Sequence, residues 1–149
     1  MRRHDALIPL THDHHHALAQ ARKLHLAAAS GTEQRGIAAR EFIDFFRQDT
    51  LEHFRNEEET IFPLVVEEEE AEAPLARLMN EHLRIHGLVR TLTIEIEADD
   101  PQQATLEGLS DLLEAHIRFE EKTFFPLVER LAPSALAVLF SERGVLKAV

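Results

Sequence analysis

The stretch His53-Phe-Arg-Asn-Glu57-Glu58-Glu-Thr-Ile-Phe62-Pro63-Leu-Val65 returns 63 residues later as His116-Ile-Arg-Phe-Glu120-Glu121-Lys-Thr-Phe-Phe125-Pro126-Leu-Val128, with nine of thirteen positions identical. A fainter echo runs from Leu10 to Leu26 and from Leu78 to Ile94, pairing Asp13-His14, Arg22 and Leu24 with Glu81-His82, Arg90 and Leu92 at an offset of 68. The chain reads as two copies of a helix pair, each bringing histidine and carboxylate to an equivalent place.

Working outward, four amphipathic patterns emerge. The first runs from about Leu7 to Ser30, with Pro9 in its opening turn and His14, Ala17, Leu18, Ala21, Leu24 and Ala28 on one face. The second starts near Thr32, whose side chain is placed to cap it, and carries Ile37, Phe42, Phe46, Asp49, His53, Glu57, Ile61 and Leu64, with Pro63 bending its last turn. After the acidic run Glu67 to Glu72, read as a solvated loop, Pro74 opens a third helix presenting Leu75, Leu78, His82, Ile85, His86, Val89, Leu92 and Ile96. Asp99-Asp100-Pro101 ends that helix by turn chemistry. The fourth, from about Gln102, carries Leu106, Leu109, Leu113, His116, Glu120, Phe124, Leu127 and Leu131. A short fifth helix, about Pro133 to Arg143 with Gly144 as its stop, is expected across one end. No segment asks for a strand. The expected architecture is one all-α domain over residues 1–149: an antiparallel up-down-up-down four-helix bundle, about residues 7–131, plus the C-terminal helix.

In that topology His14, His53, Glu57, His82, His116 and Glu120 reach a similar depth near one end of the core, at a rise of about 1.5 Å per residue. Histidine and glutamate four apart share a helix face, so His53/Glu57 and His116/Glu120 can each bind one metal or bridge two. A carboxylate among Phe, Leu and Ile costs several kcal/mol or gives up its charge, and a dication resolves that conflict. With His86 four residues after His82 and Leu18 at the matching place in the first helix, the set divides into His82, His86 and His116 at one metal and His14 and His53 at the other. The lopsided division leaves one coordination position free. Imidazole with carboxylate suits iron, manganese or zinc. His12 and His16 stay open as alternatives to His14, and Glu121 to Glu120.

The bulk composition narrows the chemistry. The 149 residues are 44% hydrophobic and carry a net charge of −11, which argues against nucleic acid and anionic membrane surfaces as partners. With no cysteine, histidine and carboxylate must carry any metal chemistry, and the absence of Tyr and Trp excludes phenolic and indole radicals. A soluble, cytoplasmic protein is expected. The phenylalanines Phe46, Phe54, Phe119, Phe124 and Phe125 are read as core; Glu58, Glu59 and Glu121 as a solvated face or partners of the ligands; His4 and His25 as surface or packing residues.

The motifs Asp13-His14, His53-Phe-Arg-Asn-Glu57, His82-Leu-Arg-Ile-His86 and His116-Ile-Arg-Phe-Glu120-Glu121 together resemble the hemerythrin-like, or HHE cation-binding, family over about Leu7 to Leu131. The resemblance implies a four-helix bundle holding two non-haem iron ions bridged by carboxylates, with zinc or manganese as substitutes. It implies O₂, NO or peroxide as the small ligand, bound by a sensor, carrier or store. The alternatives are a di-iron redox enzyme that reduces peroxide or NO or donates iron for repair, and an interaction module that metal merely holds together. Ferritin-type oxidases use a Glu-x-x-His spacing that these faces lack, and a zinc peptidase would need a base that His82-Leu-Arg-Ile-His86 lacks.

Overall fold

The computed structural model describes residues 2–148, with side chains for residues 2–142. Four long helical rods and a C-terminal helix are present, and no strand occurs among the described residues. The first rod is α1 (Ile8–Ala28), entered through a 3-10 turn at Asp5–Leu7. The second is composite: α2 (Thr32–Phe45), a π turn (Phe46–Thr50), α3 (Leu51–Asn56), a second π turn (Glu57–Ile61) and a 3-10 turn (Phe62–Val65). The third is α4 (Glu72–Glu97). The fourth joins α5 (Gln103–Phe119), a π turn (Glu120–Phe124) and α6 (Phe125–Leu131). Finally α7 (Pro133–Ala148) turns 94° from the fourth rod. It continues past Gly144 rather than stopping there.

Cross-rod pairs establish an antiparallel bundle. Asp13 meets His53 while Lys23 meets Glu41; Glu58 meets His82 while Phe46 meets His86; Glu81 meets His116 while Glu95 meets Thr105. The fourth rod closes on the first, where the Ser110 hydroxyl donates to the Ala21 carbonyl at 2.9 Å. That approach depends on the small faces of Ala17, Ala21, Ala27 and Ala28, all buried.

The three π turns answer a pattern visible in the side chains. Buried positions in these rods step by four: Phe42, Phe46, Thr50; Glu57, Ile61, Val65; Glu120, Phe124, Val128. In a regular α-helix each step of four drifts by about 40°, so such a run would spiral off the core face. Widening the turn removes the drift. Two of the turns also precede a proline. Pro63 and Pro126 lack the N–H that would bond back and crowd the carbonyls of Glu59 and Lys122, which a wider turn relieves. The expected faces are corrected accordingly. Thr50, Val65 and Val128 are buried where regular spacing pointed to Asp49, Leu64 and Leu127, of which Asp49 is exposed.

Local chemistry sets the rod ends. The N-cap of α2 is Gly31 and not Thr32, and it offers no side-chain cap. The third rod ends with Asp99 at φ 53°, its N–H bonded to the Ile96 carbonyl while the Asp100 N–H reaches Glu95, before Pro101 leads away.

Two apolar clusters fill the interior. One holds Ala17, Leu24, Phe42, Phe46, Ile85, Leu92, Leu109 and Leu113. The other gathers Leu7, Leu10, Ile61, Phe62, Leu78, Phe124, Phe125 and Val128 with Leu136 of α7. His14, His53, Glu57, His82, His116 and Glu120 belong to neither cluster, although each is buried. Among the described residues, no single helix is long and apolar enough to cross a membrane.

Candidate metal centre

Each of the four rods contributes one buried imidazole, His14, His53, His82 and His116, and the two composite rods contribute Glu57 and Glu120, both with no exposed surface. Both glutamates are the first residue of a π turn. Glu57 Oε1 lies 3.3 Å from His53 Nε2 and 3.4 Å from His82 Nε2. Glu120 Oε1 lies 2.9 Å from His116 Nε2 and 3.3 Å from His14 Nε2. Each carboxylate thus spans two imidazoles on different rods.

Two ligand groups result, each with donor atoms lying within 4.8 Å of one another: His14, His53, Glu57 and Glu120 in one, Glu57, His82 and His116 in the other. Glu57 is common to both. The Nε2 atoms of all four histidines and both oxygens of each glutamate are buried without a hydrogen-bond partner. Leaving one such group unsatisfied costs about 1–3 kcal/mol, and more when it is charged. A cluster of this size, made only of nitrogen and oxygen donors aimed at one another, fits cations between them.

The outward nitrogens are arranged as systematically. His53 Nδ1 lies 3.0 Å from Asp13, His82 Nδ1 2.9 Å from Glu58, His116 Nδ1 2.9 Å from Glu81, and His14 Nδ1 3.3 Å from Glu121. The first rod's acid serves the second rod's histidine, the second serves the third, the third serves the fourth, and the fourth returns to the first. At His53, His82 and His116 the carboxylate is within hydrogen-bonding distance, which favours the Nδ1–H tautomer and turns the Nε2 lone pair inward, as metal-binding histidine requires; at His14 the contact is an ion pair without a hydrogen bond. The sequence alone leaves Glu58 between solvated face and ligand partner, leaves Glu121 between those and a ligand in place of Glu120, and gives Asp13 and Glu81 no role of their own. The signal was present, since each acid is the chain neighbour of an inward-facing residue: Asp13-His14, Glu57-Glu58, Glu81-His82, Glu120-Glu121.

The protons follow from burial and charge. Burial drives the Glu57 carboxyl well above its ordinary range, reinforced by the negative Glu120 beside it. Burial also opposes ionisation of Glu120, but the charge of His116 beside it overcomes this and holds it well below. His116 is raised to about 10, the charge of Glu120 outweighing burial, whereas burial pushes His82 down to about 3.

One expected ligand is not gathered in. His86 is exposed and belongs to neither group. Phe54 stacks on His82 with ring centroids 3.8 Å apart and stands edge-on to His86 at 5.9 Å, so that Phe54, rather than His86, lies against the buried imidazoles. The three-against-two division of histidines is therefore not assembled; each group holds two. His12 and His16 are exposed, leaving His14 as the buried histidine of the first rod. Glu121 is occupied by Arg3, Thr11 and His14 Nδ1, while Glu120 faces the cluster.

A cleft of about 470 Å³ opens between the first, second and fourth rods and reaches His14, His53 and His116. Rings pack against the imidazoles: away from the cleft Phe125 stacks on His14 and Phe62 lies tilted against His82, while Phe54, which also lines the cleft, stacks on His82.

A family model described as the Hemerythrin HHE cation binding domain matches residues 6–128, which include every residue of both ligand groups. A search of curated proteins and a search of solved structures each give no match.

Proposed function

Since this chain belongs to the hemerythrin HHE cation-binding family, we propose that it holds two iron ions, bridged by Glu57 and Glu120, and binds O₂ or NO there as a sensor, carrier or store. His14 and His53 would hold one ion, His82 and His116 the other. The observation that carries this reading is the double role of the imidazoles. Every Nε2 is buried and unpartnered while every Nδ1 faces a carboxylate. Sharing of Glu57 between the two groups favours a pair of ions over one.

Ferrous iron supplies electron density to a bound diatomic, and imidazole-rich ligation disfavours the strongly oxidising states used to attack C–H bonds. What the chain itself does is hold the donors rigid, keep water from the far side with Phe62 and Phe125, and leave approach open along the cleft to the His14/His53 side. Binding is the reading this supports best. The opening of the cleft onto His14, His53 and His116 also admits a second reading, turnover of peroxide or NO at the same centre.

The test is metal analysis and absorption spectroscopy of protein loaded with ferrous iron under anaerobic conditions, then exposed to O₂ or NO. About two irons per chain and a reversible spectral change support binding. Repeated turnover with peroxide or NO supports the enzyme, and one iron or none overturns the paired centre.

A further inference from the structure

The cleft is too large and too particular in its lining to serve a diatomic alone. Its 470 Å³ would hold about fifteen non-hydrogen atoms at water's share of roughly 30 Å³ each. Ala17, Phe45, Leu113 and Ile117 give it apolar walls. Its charges are largely spent within the protein: Lys23 is paired with Glu41 at 2.8 Å, and Asp13 with His53. Asp49, exposed at the rim, disfavours an anion.

One polar group in the lining, outside the ligand cluster, lacks a partner. Gln20 Nε2 points to Glu41 at 3.5 Å, which leaves its Oε1, a buried acceptor, without a donor. Thr50, 5% exposed at the end of the π turn, also lines the cleft and brings a hydroxyl to its wall. A buried acceptor left unpaired is a cost that a ligand's donor would remove.

We infer that this cleft binds a neutral organic molecule with an apolar body and a hydroxyl-type donor, seated against Gln20 and Thr50 beside the His14/His53 side of the centre. The inference names a ligand class for the approach to the proposed metal site and rests on that reading only for what lies at the floor. Its recognition comes from this chain's own residues: hydrophobic walls supply affinity, and the Gln20 carbonyl selects a donor over an ether or a carboxylate.

The probe is 2-phenyl-2-propanol, ten non-hydrogen atoms with one hydroxyl, titrated calorimetrically into protein loaded with Zn(II), which is redox-inert. Its methyl ether, which lacks the donor, is titrated in parallel, and zinc content is measured on the same samples. The expected result is saturable binding of the alcohol at about millimolar or tighter. Binding of the ether, and binding of the alcohol to Gln20→Leu, should be about tenfold weaker. Ala17→Leu, which fills the cleft, should abolish it; Gln20→Leu, at a partly exposed position, keeps the test decisive if Ala17→Leu fails to fold. Absence of saturable binding, or equal affinity for alcohol and ether across wild type and Gln20→Leu, overturns the inference. Zinc bound without the alcohol sinks the cleft alone, whereas alcohol bound without zinc sinks the metal centre alone.

Discussion

His116 Nδ1 and Glu81 Oε1 lie 2.9 Å apart, and the two residues come from different rods, so one helix sets the orientation of its neighbour's imidazole. Burial resists the charge on Glu81, but the hydrogen bond and charge of His116 hold its carboxyl below the ordinary range, with Arg77 3.2 Å away assisting. Glu81→Gln keeps the shape and removes the charge. It should lower metal affinity by about 10–100-fold with little change in helix content. Competition against a chelator of known affinity reads this directly, and unchanged affinity would show that the outer carboxylates are incidental.

Position in the third rod separates two histidines that the sequence presents as equals. His82→Ala should strongly reduce bound metal because its Nε2 faces Glu57. His86→Ala should leave occupancy near that of wild type, since the side chain is exposed and edge-on to Phe46 and Phe54. His53→Ala and His116→Ala should behave as His82→Ala does, and His4→Ala as His86→Ala does. Metal analysis after identical loading decides it; loss of metal from the His86 variant would restore the ligand set expected from spacing.

Metal uptake should release protons. At neutral pH His116 carries a proton, since the charge of Glu120 outweighs burial and raises it to about 10. That proton must leave before the lone pair can coordinate. For His116 the folded pKa exceeds the unfolded value of about 6.5, so its contribution to the empty protein's stability is complete below about 6.5 and disappears as pH rises through about 10. Raising the pH therefore weakens the empty protein and strengthens metal binding, by about one decade per pH unit for each proton released. Titrating Zn(II) into metal-free protein at neutral pH in a weakly buffered solution should liberate at least one proton per filled site pair. Release of none would contradict the protonation pattern.

Asp99 holds φ 53°, a left-handed conformation that glycine adopts without strain. Its side chain is 89% exposed and meets Arg40 at 3.5 Å. Asp99→Gly should therefore raise stability by roughly 0.5 kcal/mol, a shift of about 1–2 °C in Tm for a domain of this size, glycine's greater freedom in the unfolded chain offsetting part of the gain. Thermal melts at matched metal content test it, and a fall in Tm would mean the Arg40 contact outweighs the backbone strain.

The repeated His-x-x-x-Glu segment carried most of what the sequence could convey: the helices, their pairing, and six inward residues at a common level. Its limits came from the assumption of constant helical phase. Because each π turn inserts a residue, regular spacing pointed to Asp49, Leu64 and Leu127 where the rods bury Thr50, Val65 and Val128. Runs of buried candidates at strict steps of four, with a proline six residues after each glutamate, were the available sign. His86 failed for another reason. A histidine one turn beyond a ligand lies on the same face, and only the packing of Phe54 decides whether it reaches inward. The outer carboxylates were hidden because an acid beside a ligand in sequence serves a histidine on a different rod.

The widened turn at Phe46–Thr50 also determines where this chain can tolerate a change in length. A regular helix turns about 100° per residue, so deleting one residue from α3 or α5 would swing everything downstream out of alignment and scatter the donors. Deleting one from the wide turn instead lets the backbone heal into ordinary helix, with His53 and Glu57 still pointing where they did. The excess residue acts as slack, and single-residue length variants that keep their metal should map to it.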